Sequence, residues 1–320
     1  MLYFLVNPAS GSNRGKELWN QVEEYLKSEK IEYEVLFSVK PGHVAELARS
    51  LTMEHCKENI RLIVLGGDGT LDEALQGIVN FDMVEIGYIP TGSGNDFARA
   101  LNLNESAVER VKNILSVETP SIYDLGKLEY LNMTEERSRL FSGNVSKERL
   151  FDVSCGMGFD AGICEGALKS KAKDALNKIG LGKLIYLFIA IRLIFGDKKP
   201  DATLILDGEE EVKIKKLRFA VGMNTCFEGG GYKFAPSAVP DDGYLDVCVV
   251  NNVSAIGAFG VLPKAAKGNH VKSKKVHLYH VKSFELKTDI PLWVHTDGEV
   301  YTKSSHIRVS VLPRKMKFLI

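Results

Sequence analysis

The chain has 320 residues, 45% of them hydrophobic and 26% charged, with a formal net charge of zero. That length has room for two domains with sizeable cores, and that composition is ordinary for a soluble globular protein. Zero net charge removes any global pull toward nucleic acid, so only local basic clusters could serve such a partner.

Met1 to Pro8 lacks a basic leader and a small-residue cleavage site, so it reads as a first strand; cytoplasmic residence is the expectation. Strands are predicted at 2–6, 32–37, 61–65 and 85–89, and helices at 14–29, 43–55, 70–79, 95–101 and 105–116. Such alternation implies a parallel sheet with helices on both faces. Ligands then bind beyond the carboxyl ends of the strands. Three loops leave those ends: Asn7 to Gly11, Gly66 to Thr70, and Pro90 to Asp96, all rich in glycine and hydroxyl residues.

The middle loop carries the most information. An apolar run, Ile63-Val64-Leu65, breaks into Gly66-Gly67-Asp68-Gly69-Thr70, and a helical pattern follows. A strand, a glycine turn and a helix start present free backbone N–H groups at a positive helix end, which suits phosphate. Asp68 would repel phosphate unless a cation stood between them, which suggests a metal–nucleotide site. The alternative is a tight turn with a capping Asp. Better-known phosphate motifs fit less well. Gly11 to Glu17 is one residue short of the Walker pattern and ends in Glu, and Gly92 to Phe97 misses the last glycine of the dinucleotide fingerprint. Gly156 to Ala161 does fit G-x-G-x-x-A, a weak match on its own.

After Asp124 the pattern changes. Strands are predicted at 122–129, 138–142, 150–155, 201–206, 212–223, 244–250, 276–279, 282–288, 292–295 and 306–311, joined by short charged loops. They read as antiparallel, so a second, mostly β domain is expected, as a sandwich or barrel. Leu181 to Phe195 is strongly apolar but carries Lys183 and Arg192, and is short for a membrane span of about 20 residues. Lys169, Lys171, Lys173 and Lys178 precede it. It is either a helix buried against the β domain or a membrane-facing surface. Five scattered cysteines (Cys56, Cys155, Cys164, Cys226, Cys248), with no C-x-x-C pair, argue for reduced thiols and against zinc or a disulfide framework.

Asn7-Pro8-Ala9-Ser10-Gly11, Gly66-Gly67-Asp68-Gly69-Thr70 and Gly92-Ser93-Gly94-Asn95-Asp96-Phe97-Ala98-Arg99 together resemble the motif set of the diacylglycerol kinase catalytic-domain family, which includes soluble bacterial lipid kinases and the sphingosine and ceramide kinases. The likeness continues in order through Ile122 to Gly126, Ala235 to Leu245 and Asp297-Gly298-Glu299. The glycine turn alone is shared with NAD kinases and phosphofructokinases; the Gly92–Arg99 loop is much more specific. The resemblance implies an α/β N-terminal domain (parallel sheet, NAD kinase/diacylglycerol kinase-like) over 1–127, with 300–320 returning to it. It also implies an all-β, sandwich-like second domain over 128–299, holding the lipid, with an apolar helix near 178–196.

The same resemblance implies an ATP- and Mg-dependent lipid kinase, with diacylglycerol to phosphatidic acid as the leading reaction. Its nucleotide set is Asn7, Pro8, Ala9, Ser10, Gly11, Ser38, Gly66, Gly67, Asp68, Gly69, Thr70, Leu71, Ser93 and Asn95. Asp68, Asp96 and Asp124 would hold the nucleotide's Mg directly or through water. Glu299 would be the general base, with Asp297 as runner-up; the alternative is a plain Asp-Gly hairpin with an exposed Glu. Asp242, with Val239 and Tyr244 carbonyls, matches a structural Mg site, or is an ordinary Asp-Gly turn.

Two features depart from the pattern. Asp72 stands where many relatives carry Asn, adding negative charge near the metal, and Tyr130 to Arg149 reads as a polar surface excursion. Competing functions are an NAD kinase-like small-molecule kinase and a non-catalytic nucleotide- or lipid-binding regulator. The expected partner is a lipid at the inner membrane face, by peripheral contact, with no nucleic acid. Exposed edge strands make a homodimer an option.

Overall fold

Continuous apolar runs build the first half. Every residue of β1 (Leu2–Val6) is buried, and nearly every residue of β3 (Ile60–Gly66) and β4 (Val84–Pro90) is. Strands without a solvent face belong to a parallel sheet covered on both sides. β1 runs parallel to β2 (Glu34–Phe37) and β3, and β3 to β4. α2 (His43–Glu54) and α3 (Asp68–Gly77) cover one face, packing Val44, Ala48, Leu71 and Leu75 with Tyr3, Leu5, Leu62 and Val64. α1 (Ser10–Ser28) and α5 (Ala107–Ser116) cover the other, through Trp19, Val22, Val111 and Ile114. The short α4 (Asp96–Ala100) follows β4. This computed structural model describes residues 1–92, 94–137, 145–169 and 199–320.

The second half is antiparallel. Its frame is β5 (Ser121–Arg137) paired along β14 (Glu299–Phe318), with β13 (Ser283–Thr296) on the other side of β14. β6 (Glu148–Phe151) joins β5; β7 (Ser154–Gly158) lies between β13 and β10 (Leu217–Met223); β8 (Ala202–Leu206) and β9 (Glu210–Ile214) extend β13. β11 (Leu245–Asn251) and β12 (Val276–Val281) complete the far edge. Leu128, Phe151, Met157, Leu286, Val294 and Ile307 fill this half's core. α6 (Phe159–Lys169) and α7 (Ala255–Ala265) flank it.

One sheet runs through both halves because the end of β14 leaves its antiparallel partners. Lys317 and Phe318 pair in parallel with Glu85 and Ile86 of β4. Phe318 is fully buried in the first-half core. The buried Arg110 sits 5.9 Å from its ring and donates to the carbonyls of Tyr88 and Leu319.

Several predicted boundaries move. β5 continues to Arg137, so the first part of the expected surface excursion is strand. The predicted strand 150–155 is β6 and β7 with a break between them, and 212–223 is β9 and β10 around Lys216, whose φ is 53°. The strands at 282–288 and 292–295 are one bulged β13. Gly156 and Gly158 lie in β7 between antiparallel neighbours, so the dinucleotide match lacks its parallel β-α-β setting. The expected strand at 138–142, Ser93, Lys171, Lys173, Lys178 and Leu181 to Phe195 lie outside the described residues. Among the described residues, no helix is long and apolar enough to cross a membrane.

Candidate active site

The three N-terminal loops meet at the carboxyl ends of β1, β3 and β4. Asn7 Nδ2 donates to Thr70 Oγ1 (3.0 Å), and the Thr91 N–H to Gly66 O (2.9 Å). Gly11, Ser12 and Asn13 are left-handed, and a Cβ on Gly11 would lie 2.8 Å from Thr91 O. Only glycine fits that approach, and regular helix begins after Asn13. The first amides of α3 have no helical carbonyl partner, and Gly67 caps the helix without a side chain. The result is an N-terminal helix end open to an anion. Asn95 ties the third loop, donating to Gly92 O (2.7 Å). Ser10 Oγ donates to Asn7 O (2.7 Å), so its hydroxyl hydrogen is turned inward. Ser38 is buried at the end of β2, its N–H on Val6 O.

Asp68 begins α3 and Asp96 begins α4. The Asp96 N–H donates to Asp68 Oδ2 (3.1 Å), and the Gly230 N–H to Asp96 Oδ2 (2.8 Å). Burial, reinforced by Asp96, pushes the Asp68 pKa up to about 8. Burial raises Asp96 to about 6, opposed by the Gly230 and Gly231 amides and by Arg99. Asp68 Oδ1 and Asp96 Oδ1 are buried without hydrogen bonds. Two converging carboxylates held off their normal charge, each with an oxygen that accepts no hydrogen bond, are the donor set a hard divalent cation fits; Arg99 Nε, 3.8 Å from Asp96 Oδ1, is the nearby cation.

Asp124, the third residue of the expected trio, is engaged differently from the other two. Asp124 is fully buried, and its oxygens accept from the N–H groups of Arg314 (2.6 Å) and Gly243 (2.7 Å). It is thereby bound to the turn carrying Asp242, whose own Oδ1 accepts from Tyr244 N–H (2.9 Å). Burial raises the Asp242 pKa, and Asp124 adds to it. A cavity of 350 Å³ opens beside Asp242, Gly243, Tyr244, Lys282, Val311 and Pro313.

Glu299 comes from the second half. Asp297 and Gly298 both have positive φ (50° and 83°), and Thr296 pairs with Glu299 across them. This is the two-residue hairpin that an Asp-Gly pair favours. Asp297 accepts from the N–H groups of Asp152 (3.0 Å), Val153 (3.0 Å) and Ser154 (2.8 Å). The runner-up base is therefore the anchor of the turn, and this anchor explains the break between β6 and β7. Glu299 reaches the phosphate-type turn: a Cβ on Gly69 would lie 3.1 Å from Glu299 Oε1. Residues 230 positions apart thus face each other across the two halves.

Residues 1–128 match the diacylglycerol kinase catalytic domain, and residues 157–320 match the YegS C-terminal NAD kinase beta sandwich-like domain. The chain belongs to the diacylglycerol kinase catalytic-domain family. It is a lipid kinase by class. It is 27% identical over 300 residues to the Bacillus subtilis protein named "Putative lipid kinase YtlR", covering 93% of each chain. It is also 27% identical over 297 residues to a diacylglycerol kinase of Staphylococcus saprophyticus, covering 92% of this chain and 87% of that one. The structure of a diacylglycerol kinase from Bacillus anthracis superposes with a TM-score of 0.66 at 18% identity, covering 99% of this chain and 96% of that one. At that identity the likeness speaks for the fold.

Within this family frame, two buried clusters beside the site were not foreseen. His295 Nε2 lies 3.1 Å from Asp160 Oδ2 and 3.4 Å from Glu228 Oε1, all three residues buried. Their ligand atoms fall within 4.8 Å of one another, close enough to share a metal ion. A protonated imidazole meets the same need for positive charge. Burial works to lower the His295 pKa, but Glu228 and Asp160 outweigh it and hold it at about 9. The second cluster is Asp72 with Arg149. Asp72 is fully buried, and Arg149 donates to its two oxygens (2.8 and 3.1 Å) while Gln76 donates at 2.9 Å. The charge that departs from the family pattern is thus paired. Asp72 itself was the only signal, since a charge on a packed helix face needs a partner; nothing local pointed to Arg149.

Proposed function

We propose that this kinase transfers the terminal phosphate of ATP, with Mg, to the hydroxyl of a membrane lipid, diacylglycerol to phosphatidic acid being the leading reaction. The observation that carries the reading is the approach of Glu299 to Gly69 at the head of α3. An acceptor's base and a donor's phosphate cradle then share one cleft. The α3 amides, with Asn7, Thr70 and Asn95, would hold phosphates. Asp68 and Asp96 would hold the magnesium ion, which supplies charge neutralisation at the transferring group. Glu299 accepts the proton of the lipid hydroxyl as that oxygen bonds to phosphorus and the bridging oxygen leaves with ADP. Asp242, beside Asp124, would serve a second, structural ion.

A lipid acceptor implies contact with a membrane face. Supporting it, residues 247–284 hold six lysines and no Asp or Glu in a chain of zero net charge. Lys264, Lys267, Lys272, Lys274, Lys275 and Lys282 are all exposed. Such a field favours anionic lipid. A kinase assay with extracted membrane lipids set beside NAD as acceptors tests the reading. Mg-dependent labelling of a lipid is expected; labelling of NAD alone would overturn it.

A further inference from the structure

We propose that Arg149 is a positioning residue for phosphate transfer. Its one guanidinium fastens both strands of the Glu299 hairpin to the second turn of α3. The inference rests on the reading of Glu299 as the base.

The contacts define the tether. Arg149 sits on β6 and is nearly buried, its side chain 10% exposed. The Nη2 edge of the guanidinium meets α3 at Asp72, four residues beyond Asp68 and therefore one turn along the same side of the helix. Its Nε donates to Thr296 Oγ1 (3.0 Å), on the β13 strand of the hairpin. Its Cζ lies 4.0 Å from the ring centre of Tyr301, on the β14 strand. Thr296 pairs with Glu299 directly, and Tyr301 is two residues beyond Glu299, on the same side of the strand. Planarity, a fixed fork of donors and stacking on an aromatic ring are properties Arg has and Lys lacks. The head of α3 presents Gly69 to Glu299; its next turn holds the hairpin at a set distance. The pair also joins elements matched to different domains of the family, α3 in residues 1–128 and the hairpin in 157–320. Where Asn replaces Asp72, the ion pair with Arg149 cannot form, so the tether in this form belongs to chains with both residues.

The role separates from simple stability. Arg149→Lys keeps a positive charge on buried Asp72 but loses the Thr296 bond and the flat stack. Asp72→Asn with Arg149→Met removes both charges together and all three links. In both variants the melting temperature is expected to stay within a few degrees of the parent. Turnover is expected to drop at least tenfold, toward the roughly 10²-fold that a misplacement of about 1 Å can cost. KM for ATP should stay within about twofold, because the phosphate loops are untouched. The measurement is kcat and KM for both variants and for Glu299→Ala, with thermal melts, on a diacylglycerol substrate. A folded Arg149→Lys enzyme with kcat within twofold of the parent would overturn the tether, as would parental kcat in the double variant. If Glu299→Ala also retains turnover, the base assignment falls instead. If Glu299→Ala is inactive while the Arg149 variants are not, only the tether falls.

Discussion

At the residue scale, the site depends on what small side chains permit. Gly69 is helical, yet a Cβ there would press on Glu299 at 3.1 Å. Alanine improves helix propensity by up to about 1 kcal/mol over glycine. Gly69→Ala should therefore keep or raise the melting temperature while cutting turnover, on the order of 10- to 100-fold if the hairpin shifts; steady-state kinetics beside a thermal melt checks this. The His295 cluster makes a second prediction, with a definite sign. Its pKa is raised from 6.5 to about 9, so its stabilisation is whole below 6.5 and is lost as pH rises through about 9. Glu228, raised from 4.5 to about 7 chiefly by burial, acts in the same direction over a lower window. The melting temperature of His295→Asn should lie furthest below the parent near pH 6.5, and the gap should narrow toward pH 9. A gap that widens with pH would contradict the ion-pair account. The glycine turns and the Asp297-Gly298-Glu299 hairpin were legible because their chemistry is local. Arg149, Asp160, Glu228 and His295 were not, because Arg149 meets Asp72 across 77 positions and His295 meets Asp160 across 135. The backbone amides of Gly243 and Arg314 that Asp124 accepts from were equally hidden, because they lie 119 and 190 positions away.

At the element scale, the parallel half read well because both faces of its strands are apolar and glycine turns punctuate them. The β-rich half read less well. β5 beyond Tyr130 looks polar in sequence, yet Thr302 donates to the carbonyls of Thr134 and Glu136, and Asn132 to Ser305, so cross-strand polar bonds replace apolar pattern. Bulges in β13 and β14 also disturb the two-residue period that marks a strand. The end of β14 carries a stability prediction. Phe318 is fully buried against Phe97, at 5.3 Å between ring centres, in an edge-on arrangement. Phe318→Ala should cost about 3–5 kcal/mol. Denaturant unfolding would show it as a lower midpoint, and an unchanged midpoint would place the C-terminal segment outside the first-half core.

At the scale of the whole molecule, the two halves are stitched by β14 and by the Arg149 tether, and the proposed chemistry lies where they meet. The exposed lysines of 264–282 give the β-rich half a basic side. Replacing Lys267, Lys272, Lys274 and Lys275 with Gln should weaken binding to phosphatidylglycerol vesicles at least tenfold, since each lysine near an anionic surface contributes about 1 kcal/mol. Flotation with phosphatidylcholine vesicles as the neutral control checks it; unchanged flotation would remove this surface from the account. The central claim is that Glu299 is the acceptor's base. Its most direct test is phosphate transfer from ATP to diacylglycerol by Glu299→Ala and Glu299→Gln, with the fold verified by circular dichroism. A general base contributes on the order of 10²–10⁴-fold, so turnover should fall by at least about 10²-fold in both. Turnover close to the parent enzyme in either folded variant would contradict it.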